Sequence, residues 1–134
     1  MPINRPVTKT IISTTQWGIP ITDEVNALRT ELDALKPTAW TGVAYANGWM
    51  DAGSGQAPMR YRKQGDLCWV QGSMKSGSLN NIAFILPVGF RPATTIRTVQ
   101  TDGPGLAQFD ANGNVWWYGP TNSINSISAW FPIA

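Results

Sequence analysis

Hydrophobic positions in this chain keep two different rhythms, and the change between them falls at Pro37. Before it, Ile21, Val25, Leu28, Leu32 and Leu35 recur at alternating intervals of four and three, which lays a narrow apolar stripe along one side of a helix. Thr22 is the expected N-cap, with Asp23 and Glu24 in the first turn, where carboxylates favour the positive end of the helix dipole. Lys36 falls in the last turn. Pro37 then stops the helix, because the residue before a proline is pushed out of the α region. The spacing predicts a helix over 23–35, inside a segment of residues 21–37.

The same stripe reads as the seam of a parallel homo-oligomer. With Val25 and Leu32 at a and Leu28 and Leu35 at d, the g positions are Glu24 and Glu31 and the e positions are Arg29 and Lys36. In parallel helices each g residue faces the e residue five positions later on its neighbour. Both pairs, Glu24 with Arg29 and Glu31 with Lys36, are opposite in charge. An amphipathic helix packed on its own domain has a similar stripe, but it needs neither so narrow a seam nor matched flanking charges. Valine at one a position, leucine at the other and leucine at both d positions do not choose between dimer and trimer. A helix of this length is marginal alone, so it sets register while an attached domain supplies stability.

After Pro37 the period becomes two. Trp40 to Ala46 reads as a first strand, and Gly53-Ser54-Gly55 with Pro58 as a loop. Residues 59–63 and 67–71 form a hairpin about Gln64-Gly65-Asp66, and further strands are expected at 82–86, 94–100, 106–110, 115–118 and 127–131. Asn112-Gly113 is the strongest turn signal, because a type I′ turn needs positive φ at both central residues. Short strands at this spacing predict an antiparallel β-sandwich or small barrel over residues 38–134. The chain is thus expected to be mainly β, with a short parallel coiled-coil helix ahead of the head. Residues 1–20 hold three prolines around the β-branched run Val7 to Thr15. They suit an anchoring arm that adds to a partner's sheet edge, with a disordered tail as the alternative.

Composition sharpens this picture. At 134 residues with 43% hydrophobic residues, the chain can bury one core plus a stem. Charged residues are 13%, about half the ordinary share. The net charge of +2 is spread without a basic cluster, so nucleic acid is not an expected partner. No apolar run approaches the roughly 20 residues that span a bilayer, and the N-terminus lacks the apolar core of a signal peptide. Cys68 is the one cysteine, which excludes an intrachain disulfide. Within Leu67-Cys68-Trp69-Val70 it reads as a small buried hydrophobe. A protein made in the cytoplasm and released by a route other than secretion fits these features.

Catalysis has little to stand on. There is no histidine, which removes imidazole-based triads and the common zinc sites. The head holds four carboxylates, Asp51, Asp66, Asp102 and Asp110, and Asp66 and Asp110 adjoin expected turns, where a solvated aspartate is ordinary. No catalytic residue, metal or cofactor is expected. Seven tryptophans point to binding, since flat rings stack on the apolar faces of sugars and bury large areas at interfaces. Alternation sends Trp116 and Tyr118 to one face of their strand and Val115 and Trp117 to the other. Trp49, in Asn47-Gly48-Trp49-Met50-Asp51, is the ring most readily placed outside the core, with a loop plug over the barrel end as the alternative. The candidate ligand contacts are Trp49, Asp51, Trp116, Tyr118 and Asn122.

Three segments carry a resemblance: Tyr61-Arg62-Lys63-Gln64-Gly65-Asp66, Leu86-Pro87-Val88-Gly89-Phe90-Arg91-Pro92, and Trp117-Tyr118-Gly119-Pro120-Thr121. Over residues from 38 to 134 the chain resembles the small homotrimeric tail-tip and fibre proteins of long-tailed phages, which have a β-barrel head and bind receptors. The order of arm, short coiled coil and head is similar as well. The resemblance implies a homotrimer on the virion, at the tail tip or the capsid surface. It implies an arm of residues 1–20 docked on another virion protein, and a head that binds a host cell-envelope saccharide. The histidines that often line sugar sites in such heads are absent, so no site residue carries over. A capsid or tail decoration without receptor binding is the alternative. A carbohydrate-binding module of a bacterial enzyme is a further one, and the oligomer-forming stem speaks against it.

The seam makes a direct prediction. Replacing Leu28 and Leu32 together by lysine should turn an oligomer at micromolar concentration into a monomer in sedimentation analysis, because like charges at a and d cannot be buried unpaired. A native protein already monomeric there would refute the seam.

Overall fold

The computed structural model describes residues 15–100 and 103–134. It divides into a unit ending at Lys36 and a β head over Pro37–Ala134. The first contains helix α1, Thr15–Ala34. Its start corrects the expected one: Thr22 is not an N-cap but lies within the helix, and Asp23 and Glu24 sit well past the first turn. Pro20, the last residue of the expected arm, lies within α1. The helix continues to its N-terminal side, giving up the one ladder bond that proline cannot donate. The other end is as expected: Leu35 N–H and Lys36 N–H close a final tight turn on the Leu32 and Asp33 carbonyls, at 3.1 and 3.2 Å, before Pro37. Of the expected arm, residues 1–14 lie outside the described residues, and Thr15 to Pro20 belong to α1. Val25, Leu28, Leu32 and Leu35 are all exposed in the single chain. Lys36 pairs with Asp33, Nζ to Oδ1 3.0 Å.

The head is two antiparallel sheets. The first orders β1 (Thr41–Gly42), β4 (Arg60–Gln64), β5 (Leu67–Lys75) and β10 (Asn125–Pro132), with β3 (Met50–Asp51) also paired to β5. The second orders β2 (Ala44–Tyr45), β6 (Asn81–Ile85), β9 (Asn114–Tyr118), β8 (Leu106–Phe109) and β7 (Ile96–Val99). The expected strand from Trp40 to Ala46 is thus split. At Val43 the chain leaves the first sheet for the second, its N–H held by the Met59 carbonyl at 3.2 Å. At the far edges, β10 lies beside β7.

Alternation is what makes the two sheets one structure. Along β10, Asn125, Ile127, Ala129 and Phe131 are buried while Ser128, Trp130 and Pro132 are exposed. Along β9, Val115 and Trp117 are fully buried and Trp116 and Tyr118 are not, as the period of two requires. The inward side chains of both sheets meet in one core: Phe109 lies 5.4 Å from Phe131, and Tyr61 4.8 Å from Phe90, ring centroid to centroid. Residues this far apart in sequence meet only through the fold.

Turn chemistry was half legible. Asn112-Gly113 does turn the chain, but not as a type I′ pair. Gly113 N–H bonds the Asp110 carbonyl and Asp110 N–H the Asn114 carbonyl, each at 2.9 Å, and Gly113 alone has positive φ, +97°. That is a three-residue loop closed by a glycine bulge. The type I′ geometry occurs at Asn47-Gly48, with φ of +55° and +83° and Trp49 N–H on the Ala46 carbonyl. There it joins strands of different sheets.

Phe109→Ala should cost about 3–5 kcal/mol, since a fully buried ring leaves a cavity between the sheets. Val99→Ala, at an exposed position, should change stability by no more than about 0.5 kcal/mol. Urea unfolding of both variants at one protein concentration checks the contrast.

Candidate functional site

Strand pairing on the second sheet gathers a site that begins with two of the expected residues. Trp116 and Tyr118 stand two apart on β9 and point outward together, their rings nearly parallel at 7° with centroids 6.3 Å apart. Register places Gln108 of β8 opposite Trp116 and Leu106 opposite Tyr118. Asp110 follows at the end of β8 and becomes the hub. Its Oδ2 accepts from the Trp116 indole Nε1 at 2.8 Å, and its Oδ1 accepts from Gln108 Nε2 at 2.9 Å and Thr95 Oγ1 at 3.2 Å. Arg97 Nε in turn donates to Gln108 Oε1 at 2.8 Å. The chain of bonds leaves Trp116 little freedom to rotate, so its ring is held in place before any ligand arrives. Preorganisation of this kind saves the ordering cost of binding.

The other expected contacts do not join this pair. Trp49 is a correction: it is 4% exposed, packed edge-on against Trp117 with centroids 6.3 Å apart. A Cβ at Gly77 would collide with its ring, so its faces are spent inside the core. The type I′ turn at Asn47-Gly48 aims it there. Asp51 is exposed on β3 and accepts the Tyr45 hydroxyl at 2.6 Å. Burial, and then this bond to the carboxylate, raises the Tyr45 hydroxyl well above its ordinary pKa. Asn122 is exposed in the loop that follows β9. Asp110 was passed over as a solvated turn residue. Its place two residues after Gln108, on the strand paired with β9, was the available signal, and reading it needed the register.

A second aromatic group occupies the outer face of the first sheet. Arg62 of β4, Trp69 of β5 and Trp130 of β10 are direct cross-strand neighbours. Trp40, just ahead of β1, lies with its ring centroid 4.5 Å from the Arg60 guanidinium and 4.3 Å from that of Arg62, and Arg62 is also 5.4 Å from the Trp69 ring. Such cation–π contacts contribute about 0.5–1 kcal/mol each at exposed sites. Thr38, two residues earlier, is tied to Lys63 by two backbone-level bonds, N–H to carbonyl at 2.8 Å and Lys63 N–H to Oγ1 at 3.0 Å. Trp130 remains 65% exposed.

Neither group holds a reactive nucleophile. Cys68 is fully buried under β4 and β10, and burial pushes its thiol up to about 12 against a smaller opposing pull from the Lys63 ammonium. Among the described residues no three His, Cys, Asp or Glu side chains are arranged to hold a metal ion. No described helix is long and apolar enough to cross a membrane.

The fold and its surfaces define a two-sheet, all-β head with a preceding helix and two outward aromatic groups. No family model, curated protein or solved structure matches the chain.

The Cys68 thiol predicts a pH effect. Its pKa rises from 9.0 unfolded to about 12 folded, so the unfolded chain loses this proton first and stability falls as pH climbs between those values. The native protein should therefore destabilise more steeply above pH 9 than Cys68→Ala, by up to about 1.4 kcal/mol per pH unit. Parallel slopes in denaturant titrations from pH 8 to 11 would contradict it.

Proposed function

We propose that the protein is a phage virion fibre, a homotrimer whose β head binds a host cell-envelope glycan. The helix sets register through Val25, Leu28, Leu32 and Leu35, flanked by Glu24, Arg29, Glu31 and Lys36, with Ile21 at the head of the seam. The count of three and the virion location come from the resemblance of residues 38–134 to small phage fibre heads. Residues 1–20 dock on another virion protein.

The observation that carries receptor binding is the parallel ring pair of Trp116 and Tyr118, partly open to solvent and steered by Asp110. A sugar ring stacks on such a pair through its C–H face. The neighbouring Asp110 carboxylate and Gln108 amide supply acceptors and a donor for hydroxyls at its rim. One site of this kind is weak. Three heads per trimer and many trimers per particle supply avidity without new contacts.

The alternative is the same trimer as a capsid or tail decoration with no receptor. It gains weight from the open face of Trp69 and Trp130, which suits contact between protein subunits.

Trp116→Ala should lower glycan-array binding by at least about tenfold per site, compounded by trivalency, with the trimer mass unchanged. Undiminished binding would transfer the reading to the decoration.

A further inference from the structure

A pocket of about 310 Å³ opens where the outer face of β4, β5 and β10 meets the end of β7. Its polar wall is Gln56, Arg60, Gln71, Ser73, Gln100, Ser126 and Ser128. Several of these groups bond one another. Gln71 Oε1 accepts from Arg60 Nη2 at 3.4 Å, Gln56 Oε1 accepts from Ser73 Oγ at 3.5 Å, and the Ser73 and Ser126 hydroxyls bond one another at 2.8 Å. The donors turned to a ligand are the amide NH₂ groups of Gln56 and Gln71 and the outstanding N–H bonds of Arg60, of which only the last carry charge.

Charge decides which ligand the wall favours. Neither Arg60 nor its neighbour Arg62 has a carboxylate within ion-pair distance among the described residues, where Lys36–Asp33 is the ion pair found. The Nε of each is buried without a hydrogen-bond partner among those residues. Trp40 backs the Arg60 guanidinium at 4.5 Å, which holds the fork in place and strips water from one side of it. A fixed, partly dehydrated guanidinium beside neutral donors fits a group that only accepts and carries negative charge, because such bonds are about twice as strong as neutral ones. The volume is at the low end for small-ligand sites and admits one sugar unit.

We propose that this pocket binds a carboxylate or a phosphate carried on a single sugar residue. The sugar as carrier rests on the glycan-binding reading above; the anion preference rests on the pocket alone. Neither Trp116 nor Tyr118 lines this pocket, so one head would read two features of a charged surface polymer.

The test is an NMR titration of the full-length protein with glucose, glucuronate and glucose 1-phosphate at fixed ionic strength. A charged sugar should shift the amide resonances of Gln71 and Ser126 with an affinity at least about tenfold above that for glucose, and added salt should weaken it. Which of the two charged sugars binds more tightly separates carboxylate from phosphate. Arg60→Gln should remove the preference. Gln56→Glu, at an exposed position that spares the Arg60–Trp40 contact, should remove it by like-charge repulsion. Trp116→Ala should leave the titration unchanged. Equal shifts by all three sugars, no shift at these residues, or a preference that survives Gln56→Glu would overturn the pocket while leaving the Trp116–Tyr118 site standing.

Discussion

Burial between two pleated sheets governs everything else in this head. A strand has only two faces, and once Val70, Ile127, Phe131, Phe109, Val115 and Trp117 are committed to a common dry interior, every alternate residue is forced outward. The outward set is therefore not free to scatter. It lands in cross-strand rows, and those rows are the surfaces available for recognition: Gln108 and Trp116 with Tyr118 on one side, Arg62, Trp69 and Trp130 on the other. A slip of one residue in the register of β9 would put Trp116 inside and Trp117 in water, removing core and site together.

The two surfaces differ in how they are organised. On the second sheet a single carboxylate, Asp110, gathers three donors and fixes an indole. On the first sheet no described carboxylate plays that role, and the two arginines lean on tryptophan rings instead. The carboxylate on one face is engaged by its own donors, while the arginines on the other have no carboxylate partner among the described residues. That contrast is a consequence of composition. With four carboxylates in the head, one of them drawn to Trp116 and another held by Tyr45, few counter-charges are left for the arginines.

Much of the fold was legible because strands with one buried face write their period into the chain. The hairpin of β4 and β5, the strands β6 to β10 and the stop at Pro37 all follow local patterns that tertiary contacts did not override. Errors arose where one signal had two physical outcomes. Asn-Gly favours positive φ, but whether one residue or two adopts it depends on what the turn must connect, so Asn112-Gly113 became a bulged loop and Asn47-Gly48 the type I′ pair. A tryptophan in a polar, glycine-bearing stretch looks exposed, yet that turn swings Trp49 onto Trp117. Thr22 reads as an N-cap, yet α1 extends to Thr15.

The sequence by itself determined which residues of each strand share a face, where the helix stops, and that tryptophans outnumber any catalytic machinery, since each of these depends on neighbours a few positions away. Only the tertiary structure decided which face of the head each group joins. Asp110 and Trp116 meet through strand register, Trp40 finds Arg60 and Arg62 from 20 residues upstream or more, and the Ser73 and Ser126 hydroxyls bond one another across β5 and β10. Those are pairings between distant segments, and their geometry is set by packing that no local pattern encodes.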